Sequence, residues 1–333
     1  MSVSERACLR QRLAERSLLQ KMKYVHRIYK TGDLPNILLF LLAVIVLFHA
    51  GIVSASEKNL LDQNVLLDTY ARNLGKLETN SFGLPLFLES FEEDDKINAD
   101  VYGIFDYRFS KVANALRIPE GWCDIASLHP NVKACTYRAG PGEWLLTFYI
   151  GRKVYQAPRK ARQLVYSYRT VAEQHGYLDI SLNAGAGPFG TRDHRMRFEA
   201  LSVEGGKTFV HVNYSYRESA ALRFVEKVYF ATLGRDKVGF TITGTDKDGN
   251  PVYITGPRGA IERNAVRYYF AVRSFMRYPE ENQFSMRITD WYDLTARYRK
   301  QLFDLDKTDY ITFKTAEHKD QVILQRSIGT GLQ

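Results

Sequence analysis

The start of one predicted strand carries the densest group of side chains that could do chemistry. Its members are Arg192, Asp193, His194, Arg195, Arg197 and Glu199. Guanidinium groups there would hold an anionic head group, and a histidine with a carboxylate would form an acid–base pair. Asp193 and His194 are adjacent, so in a strand they point to opposite faces and cannot pair directly. We predict Arg192, His194 and Glu199 as ligand-binding residues, with a solvated strand end as the alternative.

A second group follows the glycine-containing loop 256–259 at the start of a predicted helix. Its members are Glu262, Arg263, Asn264, Arg267, Tyr268 and Tyr269. A helix N-terminus presents free N–H groups to an anion, and tyrosine combines apolar area with one polar group. We predict all of these except Asn264 as ligand contacts. The alternative is that Glu262 favours the helix dipole, the arginines form i,i+4 or cross-sheet pairs and the tyrosines belong to the core.

Other chemistry finds no support in the sequence. There is no GxSxG, GxxxxGK[ST], HExxH or CxxC motif and no Cys/His quartet. No cofactor, metal site or catalytic residue is therefore predicted.

The charge balance argues against a nucleic-acid partner. The chain has 333 residues, 46 Lys+Arg against 37 Asp+Glu, and a formal net charge of +9. Eight basic and three acidic residues lie before residue 36, so the rest carries a net charge of only +4. The basic character mostly belongs to an N-terminal tail, residues 1–35, rather than to a DNA-binding face.

One segment is apolar enough to interact with a membrane. Ile37 to Phe48 are uninterrupted apolar residues, within a predicted segment 36–55. Twelve residues are short for a membrane span and typical of a signal-peptide core, with cleavage predicted between Ala55 and Ser56. A retained membrane anchor is the alternative. Either way, the basic tail stays cytoplasmic and the rest is exported, to the periplasm or the outer face of the inner membrane.

Cysteine usage agrees with export. Cys8 lies in the tail, which leaves Cys123 and Cys135 in the exported part. Such a pair in an oxidising compartment predicts a disulfide, with two buried thiols as the alternative.

The elements that must position these residues follow a recognisable order. Residues 56–98 are predicted as a helical lead-in, and residues 279–333 as a C-terminal helical extension. Between them, period-two patterns and turn residues predict a strand at 99–105, helices at 109–116 and 122–128, strands at 132–138, 144–152, 162–171, 177–184, 194–203 and 208–217, a helix at 221–232, a hairpin at 238–255 and a helix at 260–277. The last helix is predicted to have one buried face and one basic face.

This order resembles the START-type (Bet v 1-like, SRPBCC) helix-grip domain. The resemblance covers residues 99–278, with the hairpin at 238–255 as an insertion that splits the final helix. Its local basis is residues 101–133 (VYGIFDYRFSKVANALRIPEGWCDIASLHPNVK), which follow the START pattern of strand, helix, Trp-containing turn and Pro-Asn-Val. The chain is also similar to uncharacterised exported bacterial proteins.

The resemblance implies an α+β fold in which a curved antiparallel sheet wraps a C-terminal helix and leaves an apolar tunnel. It also implies a hydrophobic small molecule or lipid as the partner, bound for transport or sensing, with a further membrane contact through the N-terminal segment. Two alternatives stay open. One is a hydrolase or cyclase that uses His194, Glu199 or Glu262, and the other is a structural envelope protein with no ligand.

Overall fold

The computed structural model describes residues 60–232 and 234–330. Every contact reported below lies in the compact unit that begins at Gln63. The predicted basic tail 1–35, the segment 36–55 and the cleavage site between Ala55 and Ser56 lie outside the described residues. Within the described ranges, no helix combines the length and apolar character needed to cross a bilayer.

Eight strands of the described residues form one antiparallel sheet. They are β1 (Leu86–Glu93), β2 (Lys96–Phe105), β3 (Val132–Gly140), β4 (Glu143–Ile150), β5 (Arg162–Gln174), β6 (Tyr177–Ala186), β7 (Arg192–Val203) and β8 (Lys207–Arg217). Their order across the sheet is β1-β2-β8-β7-β6-β5-β4-β3. The first and last strands of the predicted series, β2 and β8, are therefore neighbours, and β1 and β3 form the two edges of the sheet.

Helices occupy both faces and one edge of this sheet. They are α1 (60–72), α2 (Leu74–Glu78), α3 (Phe109–Leu116), α4 (Pro119–Ser127), α5 (Ala220–Ala231), α6 (Gly256–Arg277), α7 (Phe284–Ala296), α8 (Arg299–Leu302) and α9 (Lys307–Thr330). A small hairpin, β9 (Ile242–Thr245) with β10 (Pro251–Tyr253), separates α5 from α6. The predicted curved sheet on a long helix is confirmed, as is the inserted hairpin.

The predicted helical lead-in is helical only as far as Glu78. Residues 86–93 form β1, which pairs with β2 so that Leu86 lies opposite Gly103 and Glu93 lies opposite Lys96. The sequence pattern did not predict this strand, because acidic residues are frequent at positions 89–95 and charged residues are unusual in strands. They are tolerated here because β1 is an edge strand, where charge also discourages pairing with other chains.

The core lies between the concave face of the sheet and α6. Ile261, Ala265, Val272 and Phe275 of α6 are buried, as their spacing predicts. The opposite face of α6 is not fully solvated, because the C-terminal helices cover part of it. Cys123 in α4 and Cys135 in β3 are buried and form the predicted disulfide, with their Cα atoms 4.9 Å apart.

The C-terminal helix α9 covers the free edge of β3. Gln321 Oε1 accepts a hydrogen bond from the Cys135 amide at 2.7 Å. Gln325 accepts from the Tyr137 amide at 2.9 Å and donates to the Tyr137 carbonyl at 3.0 Å. Lys314 donates to the Val132 carbonyl at 2.6 Å. Side chains of one helix thus satisfy backbone groups that a neighbouring strand would otherwise pair.

Candidate functional site

A cavity of about 770 Å³ lies at one end of the sheet, between the strand ends, α5 and α6. Aromatic and polar side chains dominate its lining. The residues are His129, Asn131, Val132, Ile150, Gly151, Arg152, Gln156, Lys160, Arg162, Pro188, Phe189, Thr191, His194, Tyr214, Tyr216, Leu222, Glu226, Asn264 and Tyr268.

His129 is buried and held by both ring nitrogens. Its Nδ1 accepts from the Asn131 amide at 3.2 Å, so Nε2 carries the proton that it donates to Asn264 Oδ1, also at 3.2 Å. Burial holds the pKa of His129 well below its ordinary value, and the charge of Arg267 adds to this effect. His129 is therefore a neutral group with a fixed tautomer at neutral pH.

His194 is the second neutral histidine of the cavity wall. Thr191 Oγ1 donates its proton to the Pro188 carbonyl at 2.7 Å, so it accepts at 2.8 Å from Nε2 of His194. The imidazole stacks on Tyr216 with a centroid distance of 5.3 Å. Burial lowers the pKa of His194 to about 4. Its Nδ1 atom is buried without a hydrogen-bond partner among the described residues.

Three tyrosines complete the aromatic wall. The ring of Tyr268 stacks on His129 at 5.2 Å and meets Tyr214 edge-on at 5.7 Å, and Tyr214 lies 5.8 Å from Tyr216. Burial raises the pKa of all three phenols, that of Tyr214 to about 12. Each hydroxyl group keeps its proton at neutral pH and can donate or accept a hydrogen bond.

Two neighbouring carboxyl groups lie where α5 meets the end of β8. Glu226 of α5 lines the cavity, and Glu218 is buried beside it. Burial and the charge of Glu226 raise the pKa of Glu218 to about 8, and burial also raises the pKa of Glu226. At pH 7 Glu218 is therefore mostly neutral.

The rim of the cavity is cationic. Arg152, Lys160 and Arg162 are exposed, and none of them forms an ion pair with a described residue. The Arg162 guanidinium lies 4.7 Å from the ring centre of Phe189, which is 66% exposed. Charge is thus concentrated at the mouth, while most of the interior is uncharged.

The sequence-predicted residues do not converge on one site. Of the eight predicted ligand-binding residues, His194 and Tyr268 line the cavity and the other six lie elsewhere. Arg192 forms an ion pair with Asp95 at the surface, where Arg217 binds the same carboxylate. Tyr269 is in the core, with its ring 5.6 Å from Phe105.

Glu199 lies on the opposite face of the sheet from His194, because the two residues are five positions apart along β7. Its carboxylate accepts from the Tyr177 hydroxyl at 2.6 Å and lies 2.7 Å from His211 Nδ1 and 3.0 Å from Arg197. Nε2 of His211 lies 2.8 Å from Asp100. Glu199 belongs to a buried ionic network, which explains its burial without any ligand.

Glu262 fastens the segment before β9 to the start of α6. Its carboxylate accepts hydrogen bonds from the Phe240 amide at 2.6 Å, from the Thr241 amide at 3.0 Å and from the Thr241 hydroxyl at 2.6 Å. The Ser90 hydroxyl donates to it as well. These bonds use both carboxylate oxygens of Glu262 to hold the chain before β9 in place.

The two arginines of α6 are also used internally. Arg263 donates to the Val238 carbonyl at 3.1 Å, and Arg267 binds the Asp304 carboxylate at 2.6 Å. Both arginines of the predicted basic face are buried, and the chain after α8 brings Asp304 onto that face. His194, Glu199 and Glu262 thus do not converge, and His194 is the one of the three that lines the cavity.

Sequence reasoning missed the residues that make most of the wall. His129 precedes a proline and gave no periodic signal. Tyr214, Tyr216 and Glu218 follow one another at every second position, so they share one face of the strand and its end. Polar groups at positions where a core strand has aliphatic side chains were the available signal for a cavity wall. Glu226 faces the cavity from α5, a helix whose other apolar residues, apart from Leu222, are mostly exposed.

Comparison with solved structures gives low-identity likenesses. A START superfamily protein from Mycobacterium smegmatis is 12% identical, covering 41% of this chain and 89% of that chain with a TM-score of 0.29. A conserved protein of unknown function from Enterococcus faecalis is 9% identical, with 71% and 97% covered and a TM-score of 0.32. Human StAR-related lipid transfer protein 5 is 10% identical, with 55% and 90% covered and a TM-score of 0.29. No family model and no curated protein matches the chain.

The strand order is what defines the architecture. Strand β2, two short helices and the six strands β3 to β8 follow one another along the chain, β8 pairs with β2, and the long helix α6 packs against these two strands. The chain therefore has a START-like helix-grip fold.

Proposed function

We propose that the cavity beside α6 binds a hydrophobic or amphiphilic small molecule for transport or sensing. The observation that carries this proposal is the cavity of about 770 Å³ with its aromatic wall. Its volume falls within the range of roughly 300–1,000 Å³ that is typical of small-molecule sites. A solid structural domain would fill this space with side chains.

The lining favours an uncharged body with an acidic end. Tyr214, Tyr216 and Tyr268 offer apolar ring area, while the neutral imidazoles and Asn264 offer a few oriented polar groups. Charged ligand groups would be costly to bury there. A carboxylate or phosphate would instead be stabilised at the rim by the exposed cations.

Native mass spectrometry of the protein purified from its own host tests this proposal. We expect a discrete added mass, close to one per chain, that denaturation releases as a hydrophobic compound. Ile150→Trp should lower its occupancy, because Ile150 lines the cavity and the larger ring takes up part of the space. Val165→Trp is the matched control, since Val165 is exposed on β5 and does not line the cavity. Bare protein in every preparation would contradict the proposal.

We also propose that the segment 36–55 exports the domain. The disulfide between Cys123 and Cys135 supports an oxidising compartment, where such bonds persist. Fractionation and N-terminal sequencing of the host protein test this proposal. A chain that begins at Ser56 would mean a cleaved signal, and a full-length chain in the membrane fraction would mean an anchor. A full-length chain in the cytosol would contradict export.

A further inference from the structure

Helix α5 turns its apolar face outward. Phe224, Val225, Val228 and Tyr229 are 69%, 61%, 50% and 42% exposed. Helical spacing puts these four residues on one side, whereas Glu226 is on the opposite side and faces the cavity. A surface helix of a globular protein normally shows the reverse arrangement, so this face is a candidate contact surface.

The attachment of α5 explains why it stays in this orientation. Ser219 caps its N-terminus by accepting from the Leu222 amide at 3.2 Å. Arg223 donates to the Asp94 carbonyl at 2.6 Å, and Leu222 and Glu226 reach into the cavity lining. These contacts use the side of the helix that faces the cavity, and the side with Phe224, Val225 and Val228 has no cover within the described residues.

Unpaired cations surround the same opening. Arg152, Lys160 and Arg162 form its rim, and Phe189 stands exposed among them. Lys227 is exposed on α5 itself and forms no ion pair with a described residue. Exposed apolar side chains bordered by cations are the combination that binds an anionic bilayer, because the rings enter the interface while the cations meet the head groups.

We propose that the mouth of the cavity docks on an anionic lipid surface through the outer face of α5 and Phe189. This placement would let a hydrophobic molecule pass between the bilayer and the cavity without crossing water. The inference extends the proposed function. If the wild-type protein carries its bound molecule but does not dock on vesicles, the inference alone is overturned. If it docks but carries no bound molecule, the proposed function alone is overturned.

Site-specific fluorescence on the full chain tests the proposal. An environment-sensitive NBD group is attached at Val228→Cys in a Cys8→Ser background, and the matched control carries the label at Ile323→Cys. Ile323 is 67% exposed on α9 and does not line the cavity. We expect vesicles of phosphatidylglycerol and phosphatidylcholine to shift the emission of the first label to the blue and to expose it to bilayer-embedded quenchers. The second label should not respond.

Charge reversal separates docking at this mouth from attachment by the N-terminal apolar run. Lys160→Glu and Lys227→Glu should each weaken the vesicle response at position 228 roughly fivefold or more, because each cation near an anionic surface contributes about that factor. Both residues are exposed, so the fold should not change. No shift at position 228 would overturn the proposal. Emission from position 228 that is already blue-shifted without vesicles would also overturn it. If that shift depended on protein concentration, a second copy would cover the face; if it did not, another part of the same chain would cover it.

Discussion

The hydroxyl group of Tyr269 on α6 lies directly over the Cα atom of Gly103 in β2. A Cβ atom at position 103 would overlap the hydroxyl oxygen and the adjoining ring carbon atoms. Tyr269 is completely buried, and its hydroxyl has no hydrogen-bond partner in the described part of the chain. The helix therefore approaches the sheet closely at this point because the strand lacks a side chain there.

Gly103→Ala should destabilise the domain by about 1–3 kcal/mol, the usual cost of overpacking a core. Urea denaturation measures this change. Gly185→Ala, at a strand position with open space around the added methyl group, is the control and should change little. Tyr269→Phe should restore part of the loss in the double variant, and no restoration would contradict the proposed overlap.

Glu262→Ala should lower the free energy of unfolding by about 2–4 kcal/mol, because the buried amide groups of Phe240 and Thr241 lose their acceptor. Hydrogen exchange should accelerate at residues 238–241 before it does so in the sheet. Glu204→Ala, at an exposed position, should leave both measurements unchanged. Slow exchange at 238–241 in the Glu262 variant would show that another contact fastens this segment.

Stability should fall on the alkaline side because of His211. Burial alone would lower the pKa of His211, but its bonds to Asp100 and Glu199 raise it from 6.5 to about 9. The folded state therefore holds the proton more tightly, so the contribution is complete below pH 6.5 and is lost as the pH rises through 9.

Urea denaturation at several pH values checks this dependence. His211→Gln should be less stable at pH 6 and should show a smaller decline towards pH 9. The raised pKa of Glu218 also makes stability fall with rising pH, so the difference between wild type and variant isolates His211. His175→Gln, at an exposed position, serves as the control. Parallel curves for wild type and His211→Gln would rule out this role.

Removal of the disulfide should cost about 3 kcal/mol, given the separation of 12 residues between Cys123 and Cys135. The variant with both residues changed to Ala should melt at a lower temperature and be insensitive to reductant, whereas wild type should lose stability on reduction. Thiol titration of the full-length chain, unfolded and unreduced, should find one free group, Cys8. Three free groups would show that the bond does not form.

Local patterns were sufficient to predict most of the sheet. The turn residues around Gly142, Gly176 and Gly205 adopt positive φ angles and end strands where the sequence indicates. The alternation of side chains within β7 also implies that His194 and Glu199 occupy opposite faces, although both were proposed for one site. Strand boundaries and side-chain parity depend on neighbours in sequence, which is why they can be predicted.

Contacts between distant segments decided the rest. Asp304, which follows α8, binds the guanidinium of Arg267 in α6, and Arg267 is buried. Helix α9 covers the edge strand β3, nearly 190 residues earlier in the chain. The outward turn of the apolar face of α5 is of the same kind. Periodicity predicts which residues share one side of a helix, but the packing of Leu222 and Glu226 at the cavity determines which side of α5 faces solvent.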